Sequence, residues 1–145
     1  MFISLEPYRL SFDEVLSLLH ECDNSFEPPL SSHIDIEAYA KRLSNNAFFV
    51  LVKNDRGMIV AFTAYYLNQE GAFAFIPEIW VADSCQRMGL GHKMIHQLIQ
   101  MTPGFVRCIR LEVRKNNEKA CRFYIKEGFM MAEDRDAKML LEKKL

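Results

Sequence analysis

A glycine-containing turn between a predicted strand and a predicted helix constrains the fold of this chain more than any other segment. Residues 75–82 are strand-like, and residues 90–101 have the apolar spacing of a helix. The turn between them has the sequence Gln-Arg-Met-Gly-Leu-Gly over residues 86–91. The first N–H groups of a helix have no acceptor within it, and the helix dipole adds positive potential there. The turn therefore indicates a phosphate or pyrophosphate site, where Gly89 and Gly91 allow close approach to the backbone.

A second segment strengthens this interpretation, because a Gly-x-Gly sequence alone is more often an ordinary turn. Residues 111–117 have the sequence Leu-Glu-Val-Arg-Lys-Asn-Asn, and Tyr124, Gly128 and Phe129 follow. Together the two segments resemble the GNAT N-acetyltransferase superfamily, which binds acetyl-CoA. The resemblance extends over roughly residues 47–145 and more loosely before them. The residues that match its two motifs are Gln86, Gly89, Gly91, Asn117, Tyr124, Gly128 and Phe129.

The order of predicted elements along the chain is β-α-α-β-β-β-α-β-α-β-β, which suits a mixed sheet with packed helices. Ser11 and Glu14 form a capping-box pattern before the first helix, and Asp35 precedes a second helix predicted to end at Leu43. A strand is predicted over residues 106–113, and Asn117 caps a last helix that is predicted to stop at Gly128. The resemblance implies a GNAT-like α/β fold, with a central twisted, mostly antiparallel sheet and helices on both faces. At 145 residues, the chain is expected to form a single GNAT-like domain over residues 1–145.

Composition narrows the class of protein. A chain of 145 residues with a net charge of −1 has no electrostatic footprint for nucleic acid or an anionic membrane. It contains no signal-peptide pattern and no apolar run long enough to span a bilayer. The four cysteines are widely separated, which predicts no zinc site and a reducing, cytoplasmic location. The apolar closing strands leave room for a homodimer.

The cofactor contacts that the resemblance implies lie in three places. The pantetheine arm is expected to pair with the backbone of the strand before the glycine loop, near Ile79 and Val81. Asn117 is expected to contact the pantetheine, besides capping its helix. The glycine loop holds the pyrophosphate mainly through backbone N–H groups, and the side chains there are equally typical of a solvated surface. The loop residues concerned are Gln86, Arg87, Met88, Gly89, Leu90, Gly91 and His92.

Acyl transfer from CoA to an amine requires a neutral amine and a donor for the developing oxyanion, and it benefits from a proton for the departing thiolate. The resemblance gives the acid role to Tyr124, because a phenol with an ordinary pKa near 10 stays protonated at neutral pH. The alternative is that Tyr124 only packs, since it forms one helical stripe with Ala120 and Phe123.

Two carboxylates are candidates for the base. Glu112 lies twelve residues before Tyr124, as in the ribosomal-protein N-terminal acetyltransferases that this segment resembles. Glu78 lies on the strand before the glycine loop, where other GNAT members have an acidic residue facing the acceptor. The sequence does not decide between them, and either can be a solvated strand residue, Glu112 paired with Arg110 or Arg114. We expect Glu112 to act as base and Glu78 to attract the ammonium group.

The sequence thus predicts an acetyl-CoA-dependent N-acetyltransferase in which the amine attacks directly in a ternary complex. The expected acceptor is a primary amine of a small molecule, such as an amino sugar, an amino acid or a polyamine. Two alternatives stay open: a protein N-terminal or lysine acetyltransferase, and a non-catalytic acyl-CoA-binding domain. The motifs do not specify the acceptor, because in this family the acceptor is selected by the N-terminal helices and loops, here about residues 20–35.

Overall fold

A computed structural model describes all residues from 1 to 145. Its elements follow the predicted order along the chain. The strands are β1 Phe2–Ile3, β2 Phe48–Lys53, β3 Ile59–Asn68, β4 Phe73–Val81, β5 Cys108–Arg114, β6 Met130–Arg135 and β7 Lys138–Lys144. The helices are α1 Phe12–Cys22, α2 Ile36–Asn46, α3 Leu90–Met101 and α4 Glu118–Lys126, with short 3₁₀ turns at Asp23–Ser25, Leu30–Ser32 and Asp83–Cys85.

The seven strands form one sheet in the order β1-β2-β3-β4-β5-β7-β6. Pairing is antiparallel between β1 and β2, between β5 and β7, and between β6 and β7. Strands β4 and β5 run parallel, from Phe73 opposite Cys108 to Ile76 opposite Leu111. The next residue of β4 is Pro77, which has no N–H to give to a ladder. The predicted α/β fold class, with a mostly antiparallel sheet, is confirmed.

The chain divides into two compact units. The first unit comprises residues 1–64 and 78–101, and the second comprises residues 65–77 and 102–145. Strands β3 and β4 each continue from one unit into the other. The single domain over residues 1–145 therefore stays a prediction.

In the first unit, the helix ends follow the predicted caps. The capping box is present, since the Glu14 N–H donates to Ser11 Oγ at 3.2 Å and the Ser11 N–H donates to Glu14 Oε1 at 3.0 Å. Helix α2 continues past its predicted end at Leu43 to Asn46. The Arg9 guanidinium explains this extension, because it donates to backbone carbonyls in the polar last turn of α2. Apolar spacing alone cannot reveal such a distant cap.

Helix α3 matches its predicted span and packs on β2 within the first unit. It buries one stripe of side chains, Leu90, Met94, Ile95 and Leu98. The Thr63 hydroxyl of β3 donates to Met94 Sδ at 3.6 Å, so Thr63 points toward α3. Its neighbour Phe62 must then point to the opposite face of the sheet, because successive strand residues alternate.

In the second unit, α4 begins and ends as expected. The Asn117 side chain caps it by accepting from the Ala120 N–H at 3.1 Å. Gly128 follows the C-terminal end with a φ of 96°, and the Lys143 ammonium donates to the adjacent Glu127 carbonyl. A Cβ on Gly128 would lie 2.8 Å from Lys143 Nζ. The backbone angle requires glycine here, whereas the flexible end of the Lys143 side chain can shift away from a Cβ.

We expect Gly128→Ala to lower the free energy of unfolding by about 1–3 kcal/mol, because a non-glycine residue is strained in this conformation. Urea unfolding measures the change. Gly104→Ala is the matched control, since its Cβ would meet no atom within 4 Å and its φ is not positive. Equal effects of the two substitutions would mean that the backbone angle at Gly128 carries no energetic cost.

Candidate active site

The glycine loop of the first unit begins where β4 ends at Val81. The Ala82 N–H donates to the Val60 carbonyl at 2.8 Å, which keeps the chain attached to β3. The Gln86 side chain turns back over the short Asp83–Cys85 turn and donates to the Val81 carbonyl at 3.4 Å and to Asp83 Oδ1 at 3.3 Å. Gln86 therefore fixes the path of the chain into the loop.

The backbone of the loop takes the conformation that an anion site requires. Arg87 and Gly89 have positive φ values of 67° and 73°. The first helical bond runs from the Lys93 N–H to the Gly89 carbonyl at 3.1 Å, so the Leu90 and Gly91 N–H groups lie ahead of the ladder. The first turn of α3 contains no acidic residue. Such a loop can bind a phosphate through its N–H groups and the helix dipole.

The loop side chains point into solvent. Arg87, Met88, His92 and Lys93 are exposed, while Leu90 belongs to the buried stripe of α3. The His92 and His96 rings stack along the outer side of the helix, with centroids 6.4 Å apart. The backbone N–H groups of the loop are therefore its candidate binding element, and the exposed Arg87 and Lys93 side chains add positive charge beside it.

The Glu78 carboxylate, on β4 of the first unit, has a distinctive environment. It accepts a hydrogen bond from the Tyr39 hydroxyl of α2 at 3.2 Å. The carboxyl group lies deep, although the residue keeps some solvent access. Burial raises the pKa of Glu78 to about 7, against which the Tyr39 hydrogen bond acts. A carboxylate with such a pKa can accept a proton near neutral pH.

A buried thiol lies near Glu78. Cys22, at the end of α1, is fully buried and its Sγ donates to the Leu19 carbonyl at 3.6 Å. Burial, and to a smaller extent the charge of Glu78, raises the pKa of this thiol to about 12. Cys22 is therefore a neutral packing residue rather than a nucleophile.

Ile79 and Val81, the predicted pantetheine partners, are half-buried residues on the same strand as Glu78. They follow Pro77 and lie beyond the residues of β4 that pair with β5. Trp80, between them, is buried, and its ring packs on Phe62 with centroids 6.0 Å apart.

Tyr124, in the second unit, is buried in α4 with 7% of its surface exposed. Its ring makes edge contacts with Phe123 at 5.1 Å and Phe129 at 5.5 Å between centroids. The Phe129 N–H also donates to the Tyr124 carbonyl at 3.0 Å. These contacts fix the ring, so a proton on its hydroxyl would have a defined position. They are equally what a packing residue would make.

Asn117 and Glu112 also belong to the second unit. The helix cap uses the Asn117 Oδ1, which leaves the NH₂ group of this exposed amide for a ligand. Glu112 accepts a hydrogen bond from Arg135 at 3.1 Å and forms an ion pair with Lys138 at 3.3 Å. Its partners thus come from the β6–β7 hairpin and not from Arg110 or Arg114.

Arg110 pairs elsewhere, with Glu142 at 2.9 Å on the neighbouring strand β7. These two residues stand directly opposite each other in the antiparallel register. A cross-strand partner of this kind depends on the register, so the position of Arg110 along the sequence did not reveal it.

The sequence motifs did not identify Tyr39 or Trp80. Tyr39 lies in α2, outside the motifs, and no spacing connects it with Glu78. Trp80 is the only tryptophan of the chain and stands two residues after Glu78. This spacing on a predicted strand could have placed the two side chains on the same face.

Comparisons with known proteins identify the family and the fold. Residues 12–129 match the model of the Acetyltransferase (GNAT) family. A search of curated proteins returned no match. The PaiA N-acetyltransferase of Thermoplasma acidophilum, solved with coenzyme A, superposes with a TM-score of 0.75 at 18% identity over 100% of both chains.

Two further solved structures have the same fold. A Bacillus anthracis protein, provisionally described as a streptothricin acetyltransferase and solved with acetyl coenzyme A, has a TM-score of 0.61 at 24% identity, over 69% of this chain and 63% of that one. Arabidopsis thaliana NAA60, in complex with a bisubstrate analogue, has a TM-score of 0.73 at 11% identity, over 99% of this chain and 98% of that one.

No helix of this chain has both the length and the apolar character needed to cross a membrane. The family match covers most of the chain, including the glycine loop and the Asn117–Phe129 segment. Similarity at these identities shows the fold, whereas the family match shows the family. The chain therefore belongs to the acetyltransferase (GNAT) family and is an acyltransferase.

Proposed function

We propose that this enzyme transfers the acetyl group of acetyl-CoA to a primary amine of a small molecule, by direct attack in a ternary complex. The observation that carries the proposal is the glycine loop, in which two positive φ angles precede a helix with no acid in its first turn. Solved relatives that hold coenzyme A or acetyl coenzyme A support the choice of cosubstrate.

The cosubstrate is bound by backbone and side-chain donors in this proposal. The N–H groups of residues 87–92 hold the pyrophosphate, as helix N-termini hold anions. The backbone of Ile79 and Val81 pairs with the pantetheine arm, since both residues lie beyond the β4–β5 pairing. The Asn117 amide donates to the pantetheine from its NH₂ group.

Glu78 is the base of the proposed reaction. An alkyl amine is mostly protonated at pH 7, so a group must take its proton before or during attack. Glu78 has its pKa raised to about 7 by burial, whereas Glu112 already neutralises Arg135 and Lys138. We therefore assign the base to Glu78 in preference to Glu112, the reverse of the expectation from sequence. Tyr124 donates its proton to the departing thiolate.

The depth of the Glu78 carboxylate favours a small acceptor. An amine must bring its nitrogen within hydrogen-bond reach of a carboxylate that lies deep beside Tyr39 and Cys22. A compact molecule can enter such a site whole. A lysine on a folded protein would have to insert its side chain alone.

Acetyl-CoA is expected to raise the melting temperature of the protein, because a ligand that binds only the folded state stabilises it. Gly89→Asp should abolish the rise, since it puts a negative charge where the pyrophosphate lies. Differential scanning fluorimetry with millimolar acetyl-CoA measures both. Absence of any shift in the unmodified protein would contradict the proposed cosubstrate.

Gly57→Asp is the matched control for backbone strain. Gly57 has a φ of 76°, close to the 73° of Gly89, and a Cβ at either position meets no atom within 4 Å. The two variants should lose similar stability, yet Gly57→Asp should keep the acetyl-CoA shift. Turnover over pooled amines, followed by release of free thiol, then tests the transfer itself.

A further inference from the structure

Trp80 carries a buried donor that has no partner in the protein. The residue is 7% exposed, and its indole Nε1 is the buried side-chain polar atom without a hydrogen-bond partner. Buried polar groups of native proteins almost always have partners, so each exception requires an explanation. Indole nitrogen is a donor only, and its partner must therefore supply an acceptor atom.

Trp80 and Glu78 lie on the same face of the sheet. They are two residues apart on β4, and side chains at this spacing point the same way. Their contacts agree with this placement. The Trp80 ring packs on Phe62, which points away from α3, and Glu78 meets Tyr39 of α2 rather than any residue of α3.

We propose that the Trp80 indole N–H donates to a neutral oxygen of the acceptor substrate while the amine of the same molecule lies at Glu78. This inference rests on the proposed function and narrows its substrate class. Two strand residues span about 6.6 Å, a distance that one small molecule can bridge. The class is that of amines bearing a hydroxyl or amide oxygen, such as amino sugars and amino alcohols.

The Trp80 donor and the Glu78 carboxyl together favour this class over the other small amines. A polyamine has no oxygen, so its binding would leave the Trp80 donor buried and unpaired. The carboxylate of an amino acid would bring a second negative charge beside Glu78, whose ionisation burial already disfavours. A hydroxyl or amide oxygen accepts the hydrogen bond without either cost.

A matched pair of amines tests the inference. We expect the unmodified enzyme to acetylate 2-aminocyclohexanol with a kcat/KM about 10- to 100-fold above that for cyclohexylamine. Both values are calculated from the concentration of the unprotonated amine. Trp80→Phe keeps an aromatic ring against Phe62 and removes the N–H. The ratio of the two kcat/KM values should then fall to about one.

A second measurement needs no variant, because Trp80 is the only tryptophan of the chain. Its indole group gives a single ¹H–¹⁵N resonance, which should move downfield when 2-aminocyclohexanol binds the CoA-loaded protein. Cyclohexylamine should leave it in place. An indole proton that responds to neither amine would show that Trp80 is satisfied otherwise, for example by a bound water, and would overturn the inference.

Failure of this inference differs from failure of the proposed function. If both amines are acetylated equally and Trp80→Phe changes neither rate, the enzyme is an amine acetyltransferase without the Trp80 contact. If no amine in the pool is acetylated and acetyl-CoA gives no thermal shift, the proposed function itself is wrong.

Discussion

Tyr124→Phe is expected to lower kcat by about 10²–10⁴-fold, the usual size of a general-acid contribution. The change keeps the ring and its edge contacts with Phe123 and Phe129 and removes only the hydroxyl. Stability and the acetyl-CoA thermal shift should therefore change little. The loss is expected because the departing CoA thiolate no longer has a proton donor. Steady-state kinetics at saturating acetyl-CoA measures it.

Tyr65→Phe is the matched control for this prediction. Tyr65 is a buried tyrosine of the same unit, 1% exposed, and burial raises its pKa to about 12. Removing its hydroxyl should leave kcat within a few-fold of the parent. If Tyr124→Phe keeps full kcat as well, then Tyr124 is a packing residue and water protonates the thiolate.

Much of the fold followed from local sequence signals. The signals that begin and end helices involve only three or four neighbouring residues, so the sequence predicted them correctly. They are the capping box at Ser11, the Asn117 cap and the helix end at Gly128. Strand ends were predicted less well. Strand β5 begins at Cys108 rather than the expected Val106, because the Val106 N–H still belongs to the turn and donates to the Pro103 carbonyl.

The environments of the two carboxylates could not be predicted from the sequence, because they depend on distant contacts. Tyr39 and Glu78 are far apart along the chain and meet only once α2 packs. Glu112 acquires Arg135 and Lys138 only through the register of the closing hairpin. Sequence spacing placed both carboxylates on strands, and it contained no information about which would be buried.

Glu78→Gln is expected to remove the acid limb of the pH profile of kcat/KM. In the unmodified enzyme, activity per neutral amine should rise as pH increases through about 7, where the Glu78 carboxyl loses its proton. The Gln variant should lack this limb and lose about 10²–10⁴-fold in kcat/KM above it. Tyr39→Phe should move the limb upward, because its hydrogen bond lowers the pKa of Glu78.

Stability provides an independent check on the same group. The Glu78 pKa is higher in the folded chain, about 7, than its ordinary value of 4.5, so the folded state binds the proton more tightly. The stability contributed by this carboxyl therefore falls as pH rises from about 4.5 to about 7 and stays constant above. Relative to the parent, Glu78→Gln should gain unfolding free energy between pH 5 and pH 8.

Glu112→Gln separates the two carboxylates. Glu112 is an exposed group held by Arg135 and Lys138, and exposed ion pairs contribute only about 0–1 kcal/mol. This variant should keep the limb near pH 7 and lose little kcat/KM. Loss of the limb in Glu112→Gln, with Glu78→Gln unchanged, would return the base to Glu112. If both variants behave like the parent across pH 6–9, then neither carboxylate takes the proton, and the amine must be deprotonated by solvent before it binds.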